Sequence, residues 1–163
     1  MNEMEQFLAS WGKVRQNLIA TAEDMPEEHY DTAPFEGIYS FRRQLGHVLH
    51  ADDVLFEGLV KGAFDPATFS LDPYSTRSKQ ELVTALQENF HAQSEALRTQ
   101  TDAFWSEPRK SFDGSEKSAS ELLQMMKEHE LAHLNQLYMY LRAKGIVPPT
   151  TRKKAAARAA RQP

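Results

Sequence analysis

The sequence predicts an all-α protein, a four-helix bundle with long connections between the helices. Four stretches of about 20–26 residues carry apolar side chains at spacings of three and four, the period of a helix with one buried face. Two of these stretches open with a Ser-x-x-Glu capping box, and none of the chain shows the alternating pattern of a strand. Because four amphipathic helices bury their apolar faces most simply against one another, a bundle is expected.

The first helix is predicted over residues 3–24. Its apolar row consists of Phe7, Trp11, Val14, Leu18 and Ala22. Pro26 ends this helix, because proline cannot donate a backbone hydrogen bond and biases the residue before it away from helix. Residues 26–39 contain two prolines and Gly37, so they are predicted to form a long connection.

The second helix is predicted over residues 41–61, with Ser40 as its N-cap. On a helical wheel His47 lies at the edge of the apolar sector, whereas His50 lies in the polar sector. Asp52 falls in the centre of the apolar row, where a carboxylate needs a partner. Two interpretations follow for Asp52: a salt bridge at the edge of the bundle, or a group that orients the ligands of a metal.

The third helix is predicted over residues 79–104, after the capping box of Ser78 and Glu81. The preceding residues, 62–77, contain two prolines and a glycine and are therefore predicted to be loop. Residues 106–117 are rich in turn-forming side chains and are predicted to form a second irregular connection.

The fourth helix, from Ser118 to Gly145, carries the most informative pair of residues. Ser118 and Glu121 form its capping box, and Gly145 stops it. His129 and His133 interrupt its apolar row one turn apart, so both imidazoles leave the same face and can reach one ion. The alternative is that both are buried histidines hydrogen-bonded to neighbouring groups.

Composition restricts the chemistry available to this chain. The 163 residues include no cysteine, so disulfides, thiolate ligands and a catalytic cysteine are excluded, and any metal must be held by nitrogen and oxygen. The chain has no apolar run long enough to cross a membrane, and a cytoplasmic location is expected. The net charge of −4 does not favour nucleic acid as the main partner.

The chain is predicted to contain one domain, residues 1–150, followed by a tail. Residues 151–163 are rich in alanine and hold five basic side chains and no acid. We expect this basic tail to be disordered, as chain termini often are. The basic residues are Arg152, Lys153, Lys154, Arg158 and Arg161.

Two blocks of sequence resemble the DinB-like, YfiT-related superfamily. The first block has a proline-acid-acid turn, an aromatic-Ser helix start and a histidine eight residues after the aromatic. The second has His-x3-His-x2-Gln, then an aromatic-rich turn, then Gly-Ile-x-Pro-Pro. The matching residues are Pro26, Glu27, Glu28, Tyr39, Ser40 and His47, then His129, His133, Gln136, Tyr140, Gly145, Ile146, Pro148 and Pro149.

The resemblance implies a four-helix bundle, frequently a homodimer, with one divalent metal held by His47, His129 and His133. Asp52 and Gln136 are the candidate residues for orienting these ligands, although the family usually has a glutamate where Asp52 stands. Three neutral imidazoles suit zinc or nickel best. No catalytic residue is assigned.

The resemblance also implies a small-molecule substrate. Members of the family include S-transferases that use bacillithiol, mycothiol or glutathione, and candidate metal-dependent hydrolases. Because this chain has no cysteine, a thiolate must come from a cosubstrate, and Glu128 and Glu130 are expected on faces that exclude them as a base. We therefore expect thiol transfer to small electrophiles in stress or detoxification. A hydrolase and a non-enzymatic, metal-stabilised binding module are the alternatives.

Overall fold

Four long helices form the body of the protein. The computed structural model describes residues 3–161. The long helices are α1 (Glu3–Asp24), α2 (Phe41–Lys61), α3 (Lys79–Arg98) and α5 (Ala119–Ala143). Between α3 and α5 lie a short helix, α4 (Asp102–Ser106), and two strands, β1 (Pro108–Lys110) and β2 (Glu116–Ser118). A further helix, α6 (Pro149–Ala159), follows α5. The predicted all-α four-helix bundle is confirmed. No helix within residues 3–161 is long and apolar enough to cross a membrane.

The helix starts follow the caps seen in the sequence. The hydroxyl of Ser118 accepts from the backbone N–H of Glu121, and the carboxylate of Glu121 accepts from the N–H of Ser118. Ser78 and Glu81 form the same reciprocal pair at the start of α3. In the bundle α1 packs against α3 and α5, and α2 packs against the same two helices. Consequently α1 and α2 lie on opposite sides of the bundle axis.

The core is divided into two apolar clusters by a layer of polar side chains. One cluster includes Leu18, Ala22, Phe41, Leu45, Leu49, Leu82, Leu86, Leu134 and Leu137. The other includes Leu8, Trp11, Leu59, Leu97, Phe104, Trp105, Leu122 and Met126. Between them lie the buried residues Arg15 of α1, Asp52 of α2 and Glu130 of α5, which we call the charged layer.

The third helix ends at Arg98 and not at residue 104 as predicted. Two polar side chains after this end bond to the carbonyl of Ala96: the hydroxyl of Thr99 and the amide of Gln100. The backbone N–H of Gln100 bonds instead to Leu97. Local side-chain bonds of this kind compete with the helical ladder. The chain then restarts as α4, which buries Phe104 and Trp105 in the core.

A β-hairpin stands where the sequence predicts an irregular link. Strands β1 and β2 pair antiparallel, with Arg109 opposite Lys117. Each strand has three residues, too few for an alternating pattern to be recognised in the sequence. The guanidinium of Arg109 holds the hairpin to the bundle, because it donates to the carbonyl groups of Leu59, Phe104 and Glu107.

The basic tail is largely helical, which differs from the predicted disorder. Helix α6 begins with Pro149, a favoured first residue of a helix, and its alanines have the highest helix propensity. Its first turn is held to α1, since Arg152 forms an ion pair of 2.8 Å with Asp24 and Lys153 bonds to Asn17. The remainder of the predicted tail, residues 162–163, lies outside the described residues.

Candidate metal centre

Three histidines from two helices converge at the side of the bundle. Helix α2 contributes His47, and α5 contributes His129 and His133; together they are called the histidine cluster. The Nε2 atom of His129 lies 3.2 Å from Nε2 of His47 and 3.0 Å from Nε2 of His133. The one-turn spacing of His129 and His133 places both on the face of α5 that packs against α2.

All three imidazoles favour the neutral form that binds metals. Burial lowers the pKa of His129 to about 4, and the neighbouring charges of His133 and His47 act in the same direction. Burial also lowers the pKa of His133, as does the proximity of His47. The pKa of His47 is lowered by burial and then by His50, although Asp72 opposes the shift. At neutral pH each ring therefore keeps a nitrogen lone pair.

The donor set fits one divalent transition metal. Zinc–nitrogen bonds of roughly 2.0–2.1 Å in a tetrahedral arrangement put ligand nitrogens about 3.3 Å apart. The spacings of 3.0 and 3.2 Å in the histidine cluster are close to that value. Within residues 3–161 this is the one group of three or more His, Asp or Glu side chains close enough to hold a metal. The residues that could hold a metal are thus all imidazoles.

Two glutamines form a chain of contacts from the outer nitrogen of His133. Nδ1 of His133 lies 2.6 Å from the amide of Gln44, which in turn contacts the amide of Gln136. Gln44 is buried on α2, one turn before the position of His47. Gln136 is expected from the sequence to orient a ligand, whereas Gln44 is not, because its one signal in the sequence is an amide on the buried side of α2. On His129, Nδ1 is buried and has no hydrogen-bond partner among the described residues.

The cluster opens to solvent through a small pocket beside His47. The pocket has a volume of about 170 Å³ and is lined by Tyr39, Arg43, His47, His50, Phe69 and Asp72, among others. The guanidinium of Arg43 stacks 4.0 Å above the ring centroid of Tyr39. Nε2 of His50 donates to the carbonyl of Thr68, 2.8 Å away. His50 therefore holds the 3₁₀ segment Pro66–Ser70 against the mouth of the pocket.

The charged layer lies one residue beyond His129 along α5. Arg15 donates from Nε and Nη2 to the two oxygens of Glu130 at 2.9 and 3.0 Å, and from Nη2 to Asp52 at 2.6 Å. The indole N–H of Trp11 also donates to Glu130. Asp52 is therefore in a salt bridge at the bundle centre rather than at its edge. Among residues 3–161 its carboxyl makes no hydrogen bond to a histidine.

The other histidines stand apart from the cluster. His91 is exposed on α3 and His29 is half-buried in the first connection. Glu128 is exposed, whereas Glu130 is buried but paired with Arg15 and Trp11. Neither glutamate belongs to the donor set. Sequence reasoning missed Arg15, although its place four residues after Trp11 and three before Leu18 puts an arginine inside the apolar row.

Comparison with known proteins identifies relatives of this bundle. A family model described as the DinB superfamily matches residues 10–137. No curated protein matches the chain. The structure of a DinB-like protein from Bacillus cereus is similar with a TM-score of 0.75 and 22% identity, covering 89% of this chain and 95% of that one.

Two further structures are similar at lower identity. YfiT from Bacillus subtilis, described as a probable metal-dependent hydrolase with an unusual four-helix bundle topology, has a TM-score of 0.71 and 18% identity; the match covers 90% of this chain and 91% of YfiT. The mycothiol-dependent maleylpyruvate isomerase has a TM-score of 0.70 and 17% identity. That match covers 83% of this chain but 61% of the isomerase. At these identities the likeness establishes a common fold.

Proposed function

This chain belongs to the DinB superfamily, and from that premise we propose that it is a divalent-metal-dependent enzyme that joins a small thiol to a small electrophile. The observation that carries the proposal is the histidine cluster, whose three neutral imidazoles converge within metal-binding distance. His47, His129 and His133 would hold the ion, and zinc or nickel suits an all-imidazole set. The name of the mycothiol-dependent relative supports a thiol as one substrate.

Metal binding by the histidine cluster would require a defined tautomer of each imidazole. A histidine that binds a metal through Nε2 carries its proton on Nδ1 and donates it to a neighbouring acceptor. At His133 the neighbour is the side-chain amide of Gln44, whose nitrogen faces Nδ1 and donates to the oxygen of Gln136. Binding of a metal through Nε2 of His133 would require both amides to turn over, so that the oxygen of Gln44 accepts from Nδ1 and the nitrogen of Gln136 donates to Gln44. The two glutamines would then hold the tautomer in which Nε2 of His133 is free to bind.

The engagement of the nearby carboxylates in other hydrogen bonds favours thiol transfer over hydrolysis. When bound, a divalent cation lowers the pKa of a water or thiol attached to it. Attack by water usually also needs a general base, and within residues 3–161 no carboxylate joins the histidine cluster. Glu130 is occupied by Arg15 and Trp11. Asp72, which lines the pocket beside His47, accepts from the backbone N–H groups of Tyr74 and Ser75. A thiol depends less on a general base, because its proton is already acidic enough to be lost to solvent.

The proposed reaction balances without any redox partner. The thiol loses its proton to solvent, its sulfur forms a bond to an electrophilic carbon, and the bond from that carbon to its leaving group breaks. The leaving group departs with the electron pair. With monochlorobimane as a model electrophile the products are the bimane thioether, chloride and a proton.

Metal binding is tested by substituting each histidine of the cluster. We expect purified protein to hold about one zinc or nickel per chain by elemental analysis, and the triple variant His47→Ala, His129→Ala, His133→Ala to hold none. His91→Ala, an exposed histidine on α3, is the matched control and should retain the metal. Stoichiometric metal in the triple variant would refute the assignment.

The reaction is tested with metal-loaded protein, monochlorobimane and each of bacillithiol, mycothiol and glutathione. Fluorescence of the thioether should rise faster than in protein-free controls for at least one thiol, and His129→Ala should abolish the increase. No rate above background, together with metal-dependent cleavage of an ester or amide, would favour the hydrolase. Bound metal with no turnover in either assay would favour a binding module.

A further inference from the structure

We infer that a cleft of three phenylalanine rings beside the histidine cluster binds an aromatic body on the electrophile. The inference rests on the proposed function, because it assigns a substrate class to the same site. The cleft lies between the segment Pro66–Ser70 and the β-hairpin. It is called the aromatic cleft, and its walls include Phe64, Pro66, Phe69, Ser111 and Phe112.

The aromatic cleft has the size and lining of a small-molecule site. Its volume is about 710 Å³, within the range of roughly 300–1,000 Å³ typical of ligand pockets. Phe69 and Phe112 remain 43% and 54% exposed, although their ring centroids are 6.4 Å apart. Phe64 lies at the same distance from Phe112 and nearly perpendicular to it. Exposed rings grouped in this way usually mark a binding surface.

The walls of the cleft are fixed to α2, which keeps them apart. Gly58 leaves room for Phe64, since a β-carbon at this position would lie 2.3 Å from the ring. On one side His50 holds the carbonyl of Thr68, and on the other Arg109 donates to the carbonyl of Leu59. Both walls are therefore attached within the same helix that carries His47. The cleft does not need to form when a ligand arrives.

Phe69 connects the cleft to the histidine cluster. This ring lines both the aromatic cleft and the small pocket that contains His47. A molecule with its ring in the cleft can therefore extend past Phe69 with its reactive carbon towards the histidines. This continuity distinguishes the cleft from the other large pocket, around Phe7 and Lys117, which within the described part of the chain shares no lining residue with the pocket of His47.

The lining favours a neutral or anionic aromatic ligand. Offset or edge-on contacts between rings contribute about 0.5–1.5 kcal/mol beyond the area they bury. The charged side chain at the cleft is Lys110, which is exposed and has no ion pair among residues 3–161. No carboxylate lines the cleft within the described residues, so a cationic ligand would find no ion-pair partner there.

Binding is tested in metal-free protein with tetramethyl bimane, an unreactive fluorescent analogue of the model electrophile. We expect saturable binding by fluorescence anisotropy, weakened about tenfold in Phe112→Ser and in Phe69→Ser. Phe35→Ser is the matched control, because Phe35 is 68% exposed and does not line the cleft. All three rings are on the surface, so the variants should fold, which circular dichroism will verify.

Turnover gives a second readout in the metal-loaded protein. The KM for monochlorobimane should rise in Phe112→Ser, while the KM for iodoacetamide, which has no ring, should not change. Loss of bimane binding in the cleft variants supports the aromatic cleft as a binding site even if no thiol is transferred. Failure of this inference is therefore distinguishable from failure of the proposed function. Unchanged bimane affinity in both variants would overturn it. So would dissociation of a dimer by Phe112→Ser with unchanged affinity, because the cleft would then be an interface between copies.

Discussion

Asp52 is the residue whose ionisation decides how the charged layer is balanced. Complete burial raises the pKa of Asp52 well above its usual value, and the negative charge of Glu130 raises it further, while Arg15 opposes the shift. One oxygen accepts from Arg15, and the other receives no hydrogen bond. The neutral acid can donate from this second oxygen to Glu130. Burial and Glu130 thus predict that one guanidinium is balanced by one carboxylate, with Asp52 protonated, whereas the 2.6 Å contact with Arg15 favours the ionised form.

We predict that Asp52→Asn changes the free energy of unfolding at pH 7 by less than about 1 kcal/mol, because the amide replaces a neutral carboxyl of nearly the same shape. Glu130→Gln should cost more, up to about 3–5 kcal/mol, because it removes the carboxylate that accepts from both Arg15 and Trp11 and leaves Asp52 as the remaining charge partner of Arg15. Urea unfolding followed by circular dichroism measures both. Glu128→Gln, on the exposed face of α5, is the control. Equal losses for Asp52→Asn and Glu130→Gln would show that Asp52 is ionised.

Single residues differ in how far the sequence reveals their role. His129 and His133 are recognisable because imidazoles at i and i+4 interrupt an apolar row. The selection of His47 over His50 follows from the helical wheel, and the structure brings His47 to the other two. Gln44 and Arg15 give weaker signals, since a glutamine or arginine at one buried position is not distinctive without its neighbour. Their partners lie 89 and 115 residues away.

At the level of elements, the long helices were predictable and the short ones were not. Helices α1, α2 and α5 have the predicted extents to within two residues because caps and prolines mark their ends. The end of α3 depends on side-chain bonds of Thr99 and Gln100, and the hairpin on the burial of Arg109. Such features arise from tertiary contacts or from short segments, which leave no periodic pattern in the sequence.

The capping box of α5 is expected to stabilise the protein measurably. Ser118→Ala removes the hydroxyl that accepts from Glu121, so we predict a loss of about 1 kcal/mol in the free energy of unfolding. Ser118→Asp should retain most of the stability, because aspartate also caps helices. Thermal unfolding of the three proteins gives the comparison. An aspartate variant as unstable as the alanine variant would contradict the capping role.

A side chain at Gly58 is expected to affect ligand binding in the aromatic cleft more than the stability of α2. Alanine in a helix interior is usually favoured over glycine by about 1 kcal/mol. Its β-carbon would meet the ring of Phe64, however, and the ring must move away. We predict that Gly58→Ala leaves the unfolding midpoint nearly unchanged but weakens bimane binding. Gly12→Ala, whose β-carbon lies 3.3 Å from Phe90, is the control and should leave bimane binding unaffected.

For the whole molecule, removal of the metal should lower stability without unfolding the bundle. Both apolar clusters are complete without an ion, so the helical circular dichroism spectrum should persist. A ligand present at 100 times its dissociation constant stabilises the folded state by about 2.7 kcal/mol. At about 2–4 °C per kcal/mol, chelation should lower the Tm by about 5–10 °C. A chain that loses its helicity on chelation would indicate that the metal is required for folding.

A homodimer is proposed for the assembled protein, as the family resemblance implies. Exposed apolar side chains on α5, with Leu131 at 40% and Met139 at 54% exposure, could contribute to such an interface. Sedimentation equilibrium should give the mass of two chains, and Met139→Lys should reduce it to one. Glu128→Lys, also on α5, serves as a control for the added charge. A monomer at all accessible concentrations would exclude the dimer.

The charged layer also sets the axial alignment of the helices. Apolar clusters alone would tolerate a helix that had slid along its neighbours by one turn, about 5.4 Å, because one leucine can replace another. Such a slip would place Arg15 or Glu130 against hydrocarbon and leave a buried charge without its partner. His129 directly precedes Glu130, and His47 precedes Asp52 on α2. The contacts of Arg15 that prevent sliding therefore also keep the imidazoles of α2 and α5 at the same position along the bundle axis.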